Sequence, residues 1–249
     1  MKKTILIIVL FSIAVLSCKK DDKSPATSTT NTAPPVDGTP SNATTFNGIF
    51  TCGSYTTSFT NNPPYVNENA YVYFSNTATQ HMNSVTGIPV GKVYLNNDTL
   101  TYSSSYKYYN SYNPVNLATE TWSVVGANGI GSFSISINAI TPACSPIAVP
   151  DSISKSSGFS VNINNVTNIE KASVMVLDGS STITGFVSKN LSIGNNTVNF
   201  SSSELNLLAT TNSAYFVIIL SSDKAYYFSG KSYQFVREAQ LTKEIKIKP

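Results

Sequence analysis

From residue 70 to its end this chain is written in short runs that alternate apolar and polar residues, broken by glycine, proline, asparagine and aspartate. A period of two sends one set of side chains to a buried face and the other to water, which is the pattern of a strand and not of a helix. In the first half the runs are Ala70-Tyr71-Val72-Tyr73-Phe74, Gly91-Lys92-Val93-Tyr94-Leu95, Thr99-Leu100-Thr101-Tyr102, Thr121-Trp122-Ser123-Val124-Val125 and Ser132-Phe133-Ser134-Ile135-Ser136-Ile137. Asn96-Asn97-Asp98 joins the second and third runs as a hairpin, and Asn128-Gly129 is a strong turn signal between the last two. Trp122 alternates with Val124, so its indole is expected in the core.

Pro142, Pro146 and Pro150 then mark a boundary. A second set of runs follows at 158–163, 172–177, 181–187, 196–200, 215–220, 225–228, 232–236 and 242–247, with one helical turn at 202–208. Ser, Thr, Asn, Tyr and Val abound and helix formers are sparse. The fold class expected is all-β: two antiparallel β-sandwich-like domains, at 46–147 and 148–249. The second set has the strand number and spacing of an immunoglobulin-like sandwich, and Tyr215, at the head of a very apolar run, suits a tyrosine corner. The lysines of the terminal run, Lys243 to Lys248, look like protection of a sheet edge.

The N-terminus has a different grammar. Lys2 and Lys3 precede an apolar stretch from Ile5 to Val15. It is too short for a transmembrane helix, which needs about 20 residues, and it suits the h-region of a signal peptide. Val15-Leu16-Ser17-Cys18 closes it. These four residues resemble the lipobox of bacterial lipoproteins. The resemblance implies that residues 1–17 are removed and that the Cys18 thiol carries diacylglycerol. Each buried methylene contributes about 0.8 kcal/mol, so two or three chains hold a protein on the membrane. Lys19-Lys20-Asp21-Asp22-Lys23 resembles the Lys/Asp-rich export tag of Bacteroidota surface lipoproteins, which implies an outer-membrane protein facing the medium; the alternative is a charged stub facing the periplasm. Residues 24–45 are rich in Pro, Ser, Thr and Ala without apolar period. Such a segment buries too little surface to offset its ordering entropy, so 18–45 is expected to be a disordered tether. The whole arrangement resembles Bacteroidota lipoproteins with one β-domain and one immunoglobulin-like domain.

From Phe46 onward there are eleven Lys/Arg and ten Asp/Glu, a net of +1, and Arg237 is the only arginine in the chain. Nucleic-acid binding by charge is disfavoured. Cys52 and Cys144 are the cysteines after the anchor. Outside the cytoplasm they are candidates for one disulfide, worth about 4–5 kcal/mol by loop closure, or else two separate buried thiols. Two cysteines without histidine partners make a zinc site unfavourable, and neither a calcium loop nor a phosphate-cradling glycine motif occurs. No cofactor is implied.

His81 is the single histidine and lies in a polar segment with no nucleophile near it, which reads as a surface loop and not as a triad. The stretch from Tyr102 to Pro114 has the Tyr/Ser/Asn composition of antibody paratopes. If it is extended, Tyr102, Tyr106, Tyr108 and Tyr112 share one face and could stack on sugar rings or anchor a protein. The competing reading is a half-buried strand with wet hydroxyls. Asp98-Thr99-Leu100 and Asp151-Ser152-Ile153 resemble the O-glycosylation triplet of Bacteroidota, which makes Thr99 and Ser152 candidate acceptors. Equally, each is a turn leading into a strand.

The function expected is a non-catalytic envelope protein, attached to the membrane through covalent lipid, that binds or scaffolds a glycan or an envelope protein. A glycan hydrolase using a carboxylate pair and a structural subunit of an envelope complex are the alternatives.

Overall fold

The computed structural model describes residues 37–249 apart from 59–62, 81–86, 112–119, 139–141, 144–147, 164–165, 180–184 and 192–196. Cys18, His81, Tyr112 and Cys144 lie outside the described residues. The described chain is all-β, with a single helical turn.

The first strand, β1 (Phe46–Ser58), has no alternation in sequence because it has no wet face. Phe50 and Cys52 are buried on one side, and Thr51 and Tyr55 on the other. Gly48 sits under the Tyr233 ring, where a Cβ would come within 2.7 Å. Strand β2 (Tyr65–Thr79) runs antiparallel to β1. Then come β3 (Val93–Leu95) and β4 (Asp98–Ser103), joined by Asn96 and Asn97, which both hold positive φ (51° and 77°) as a tight hairpin turn requires. Next are β5 (Tyr108–Asn110), β6 (Glu120–Val124) and β7 (Phe133–Ile137).

The second half supplies β8 (Ser152–Ser154), β9 (Phe159–Asn162), β10 (Lys171–Asp178), β11 (Gly185–Leu191), β12 (Thr197–Phe200), α1 (Ser202–Leu205), β13 (Thr211–Phe228) and β14 (Lys231–Lys248). The turn α1 starts on a capping box, with Ser201 and Glu204 satisfying each other's backbone N–H. Twelve strands form one sheet path in the order β11-β10-β13-β14-β1-β2-β5-β4-β3-β6-β7, with β8 on β14, and β9 and β12 form a separate ribbon. The antiparallel expectation needs correction at two places. Both β1 and β8 run parallel to β14.

The hairpin β13–β14 explains the continuity. Its two 18-residue strands were expected as four short ones. One end carries Phe228, Tyr233 and Phe235 into a core with Phe50, Phe74 and Trp122. The other carries Phe216, Ile218, Ile245 and Ile247 into a core with Val174, Val161, Val198 and Phe200. Strands β1–β7 build the first core and β8–β12 the second, while the last hairpin packs into both. In the first core β6 and β7 fold back over β1, with Trp122 fully buried 5.1 Å from the Phe50 ring. In the second the β9–β12 ribbon covers β10, β13 and β14 as a sandwich.

Three further expectations change. Strand β14 is central, not an edge, so its lysines do not guard one: Lys243 turns inward to the Val149 carbonyl and pairs with Asp151 at 2.9 Å. Tyr215 is not at a strand head; it lies inside β13 opposite Leu177 and Glu244. The segment expected as tether is engaged from Asp37 onward. Tyr227 N–H donates to Thr39 O (3.0 Å), and Gly38 and Ser41 N–H donate to Tyr227 O (2.7 Å) and Ala225 O (2.8 Å). Residues 37–41 thus occupy the part of β13 that extends past β10, where exposed backbone groups would otherwise remain.

Candidate functional site

The tyrosine-rich stretch is not extended. It is the hairpin β4–β5, turned at residues 104–107 with Lys107 at φ 59°. Lys107 N–H donates to Ser103 O at 2.7 Å. The turn breaks the even spacing, so Tyr102 does not share a face with Tyr106 and Tyr108; Tyr112 lies outside the described residues. Tyr102 pairs with Tyr109 and leans to the core side, their rings 5.0 Å apart. Tyr109 accepts from Val90 N–H (2.6 Å) and donates to Gly91 O (2.7 Å), a structural role.

Tyr108 points to the opposite face and meets two rings from β2, Tyr73 and Tyr71. It lies 5.1 Å from Tyr73 and 6.5 Å from Tyr71, and Tyr106 lies 5.9 Å from it on the turn. Phe46, Ile49 and Ala43 pack beneath. The signal was present in Ala70-Tyr71-Val72-Tyr73-Phe74: both faces of that strand are aromatic or aliphatic, so both were destined for burial. Tyr71 and Tyr73 are buried, Tyr108 is half-buried, and Tyr106 is 50% exposed. Burial, helped by neighbouring Tyr108, pushes the Tyr73 hydroxyl up to about 12, so it stays a neutral donor. The result is a stack with fixed lower rings and one open ring at its head.

Further along the same face, Glu238 stands opposite Gly53, and Gly53 opposite Asn69. Only glycine fits there: a Cβ would come within 2.6 Å of the Glu238 carbonyl and 3.2 Å of the Tyr55 hydroxyl. Glu238 Oε1 and Asn69 Oδ1 are buried without a hydrogen-bond partner. Burial raises the Glu238 carboxyl to about 7. Burial first, and then the Glu238 charge, hold Tyr55 well above the ordinary tyrosine range.

A second buried carboxyl sits on the other face. Glu120 on β6 is bonded by Arg237 Nε and accepts from Trp122 Nε1 at 2.5 Å. Arg237 and Glu238 are consecutive on β14, so their side chains leave the sheet in opposite directions. Of the three buried acids among the described residues, Glu120, Asp178 and Glu238, the first and last therefore face different cores. A glycosidase needs its two carboxyls in one site, about 5–9.5 Å apart, and this pair does not provide that. Cys52 stands beside Arg237 in register. It is a free, fully buried thiol, and its candidate disulfide partner Cys144 lies outside the described residues. Burial, with Glu120 adding to it, raises that thiol well above its usual range and makes it inert.

The candidate acceptor hydroxyls differ in access. Thr99 is exposed directly after the Asn96-Asn97 turn. Ser152 is half-buried on β8, opposite Lys246.

No protein-family model matches the chain, and no curated protein matches it either. Solved structures similar to it include the fibronectin(III)-like modules of Clostridium thermocellum CbhA, at 9% identity and TM-score 0.22, covering 80% of this chain and 94% of that one. The chicken CNTN1 FN1-FN3 domains are similar at 14% identity and TM-score 0.24, covering 86% of this chain and 66% of that one. With TM-scores this low neither superposes on the chain as a whole, and nothing about function passes from them.

Proposed function

We propose that this chain is a lipid-anchored envelope protein that binds a glycan or a protein through the tyrosine stack of the β4–β5 hairpin. One observation carries the reading: Tyr106 is half exposed at the head of a stack whose other rings, Tyr71, Tyr73 and Tyr108, are held by packing. A preorganised aromatic ring loses little freedom when it meets a ligand, and its polar hydroxyl adds direction. The anchor is supported by the basic and apolar leader and by Ser17-Cys18. The tag at 19–23 supports an outer-membrane address facing the medium. Residues 19–36, if extended, reach about 60 Å, which lets the fold stand clear of the lipid surface. The separation of Glu120 and Glu238 onto opposite faces removes that one pair as a glycosidase dyad.

The test is a glycan array together with a pull-down from native membranes, using detergent-extracted protein with and without Tyr106→Ala. Loss of the captured ligand in the variant supports the stack. Equal capture by wild type and variant, or no capture at all, contradicts it.

A further inference from the structure

We infer that the cleft between the β9–β12 ribbon, α1 and β11 is a second binding site, and that it takes a neutral pyranose sugar. It is about 440 Å³ in volume, within the range of small-ligand sites. It belongs to the ribbon side of the sheet, whereas the tyrosine stack stands on the other face.

Its walls combine the two surfaces that a sugar ring presents. Phe159 stacks on Phe200 at 5.0 Å with 10° between the rings. Phe200 is 2% exposed and fixed in the core, while Phe159 is half-buried and borders the cleft. That gives an apolar wall for the C–H face of a pyranose. The polar wall is the Lys189–Glu204 pair, 2.9 Å apart, with side chains 31% and 36% exposed. Glu204 spends Oε2 on the Ser201 N–H and hydroxyl and turns Oε1 to Lys189. The Ser201 N–H, then Lys189 and the Ser201 hydroxyl, hold Glu204 down to about 2, so its carboxylate remains ionised. Asn199 accepts from Ser160 at 2.5 Å through Oδ1, which leaves its amide N–H groups for a ligand.

Each partner has bonding capacity to spare: an ammonium carries three donors and a carboxylate about four acceptor sites. Neighbouring hydroxyls on a sugar match this pair, one donating to Glu204 while the next accepts from Lys189. The two charges cancel, so the wall offers no net attraction to an ionic ligand. A flat apolar face beside a donor–acceptor pair is what selects a neutral polyol ring.

Saturation-transfer NMR on the detergent-solubilised full chain tests this, with methyl glucoside, galactoside and mannoside as probes. At least one glycoside should receive transfer, strongest on its ring C–H protons. Transfer should fall at least tenfold in both Lys189→Met and Asn199→Ala, each checked for unchanged circular dichroism, and persist in Tyr106→Ala. No transfer to any of the three glycosides at millimolar concentration overturns the inference. So does transfer that survives in both cleft variants. Transfer lost only in Tyr106→Ala would assign sugar to the tyrosine stack and remove it from the cleft.

Discussion

Arg237 on β14 and Glu120 on β6, 117 residues apart in sequence, form an ion pair with side chains only 3% and 1% exposed, and it crosses between the two layers of the first core. Trp122 completes the carboxylate's shell from the same strand. Breaking such a pair from one side leaves a buried charge and costs about 3–5 kcal/mol, whereas replacing both partners by apolar residues is often neutral. Glu120→Ala is therefore expected to unfold far earlier in urea than wild type, and the double variant Glu120→Leu/Arg237→Met to recover most of the loss. A double variant no better than the single one would show that the pair stabilises beyond its desolvation.

The Glu238 carboxyl makes stability depend on pH in the direction opposite to an ordinary surface acid. Its ordinary value of 4.5 rises to about 7 in the fold. Between those values the folded state holds the proton more tightly than the unfolded one. Stability then falls as pH climbs from 4.5 through 7, by about 3 kcal/mol in all at roughly 1.4 kcal/mol per unit. Glu238→Gln should flatten this slope. Denaturation midpoints measured from pH 5 to pH 8 would show it, and an unchanged slope in the variant would assign the dependence to another group.

Cys52 should behave as a structural thiol. Without reductant, an alkylating reagent should label it only after the protein is unfolded, because it is fully buried and its thiolate is disfavoured. Mass spectrometry of the labelled peptide decides the matter. A Cys52 peptide linked to Cys144, or rapid labelling of the native protein, would contradict the free buried thiol.

The tyrosines of the hairpin should separate by position. Tyr106 is half exposed, so Tyr106→Ala should change stability by no more than about 0.5 kcal/mol. Tyr108 fills the space between Tyr73 and Tyr71, so Tyr108→Ala should cost more than 1 kcal/mol. Chemical unfolding of the two variants measures the difference.

Strands with one wet face were legible from alternation alone, as at β6 and β7, where Trp122 and Val124 turn inward while Thr121 and Ser123 bond Ser136 and Ser134 outside. Strand β1 was not, because Thr51 and Tyr55 are buried opposite Phe50 and Cys52 and no period of two survives. The length of β13 and β14 was hidden by their polar middles. Ser222 faces Arg237 there, and Arg237 pairs with Glu120 from a distant strand. The tyrosine stack was half legible: Tyr106 and Tyr108 were picked by composition, but the turn at Lys107 needs a positive φ that no glycine announced. Tyr71 and Tyr73 join them only through the pairing of β2 with β5.

Attachment through Cys18 is tested most directly by the intact mass of the protein extracted from native membranes, beside Cys18→Ala. The wild-type mass should correspond to a chain beginning at residue 18 with diacylglycerol and fatty acyl groups added, and the variant should leave the membrane fraction. An unmodified wild-type mass, or a Cys18→Ala variant that stays membrane-bound, would contradict it.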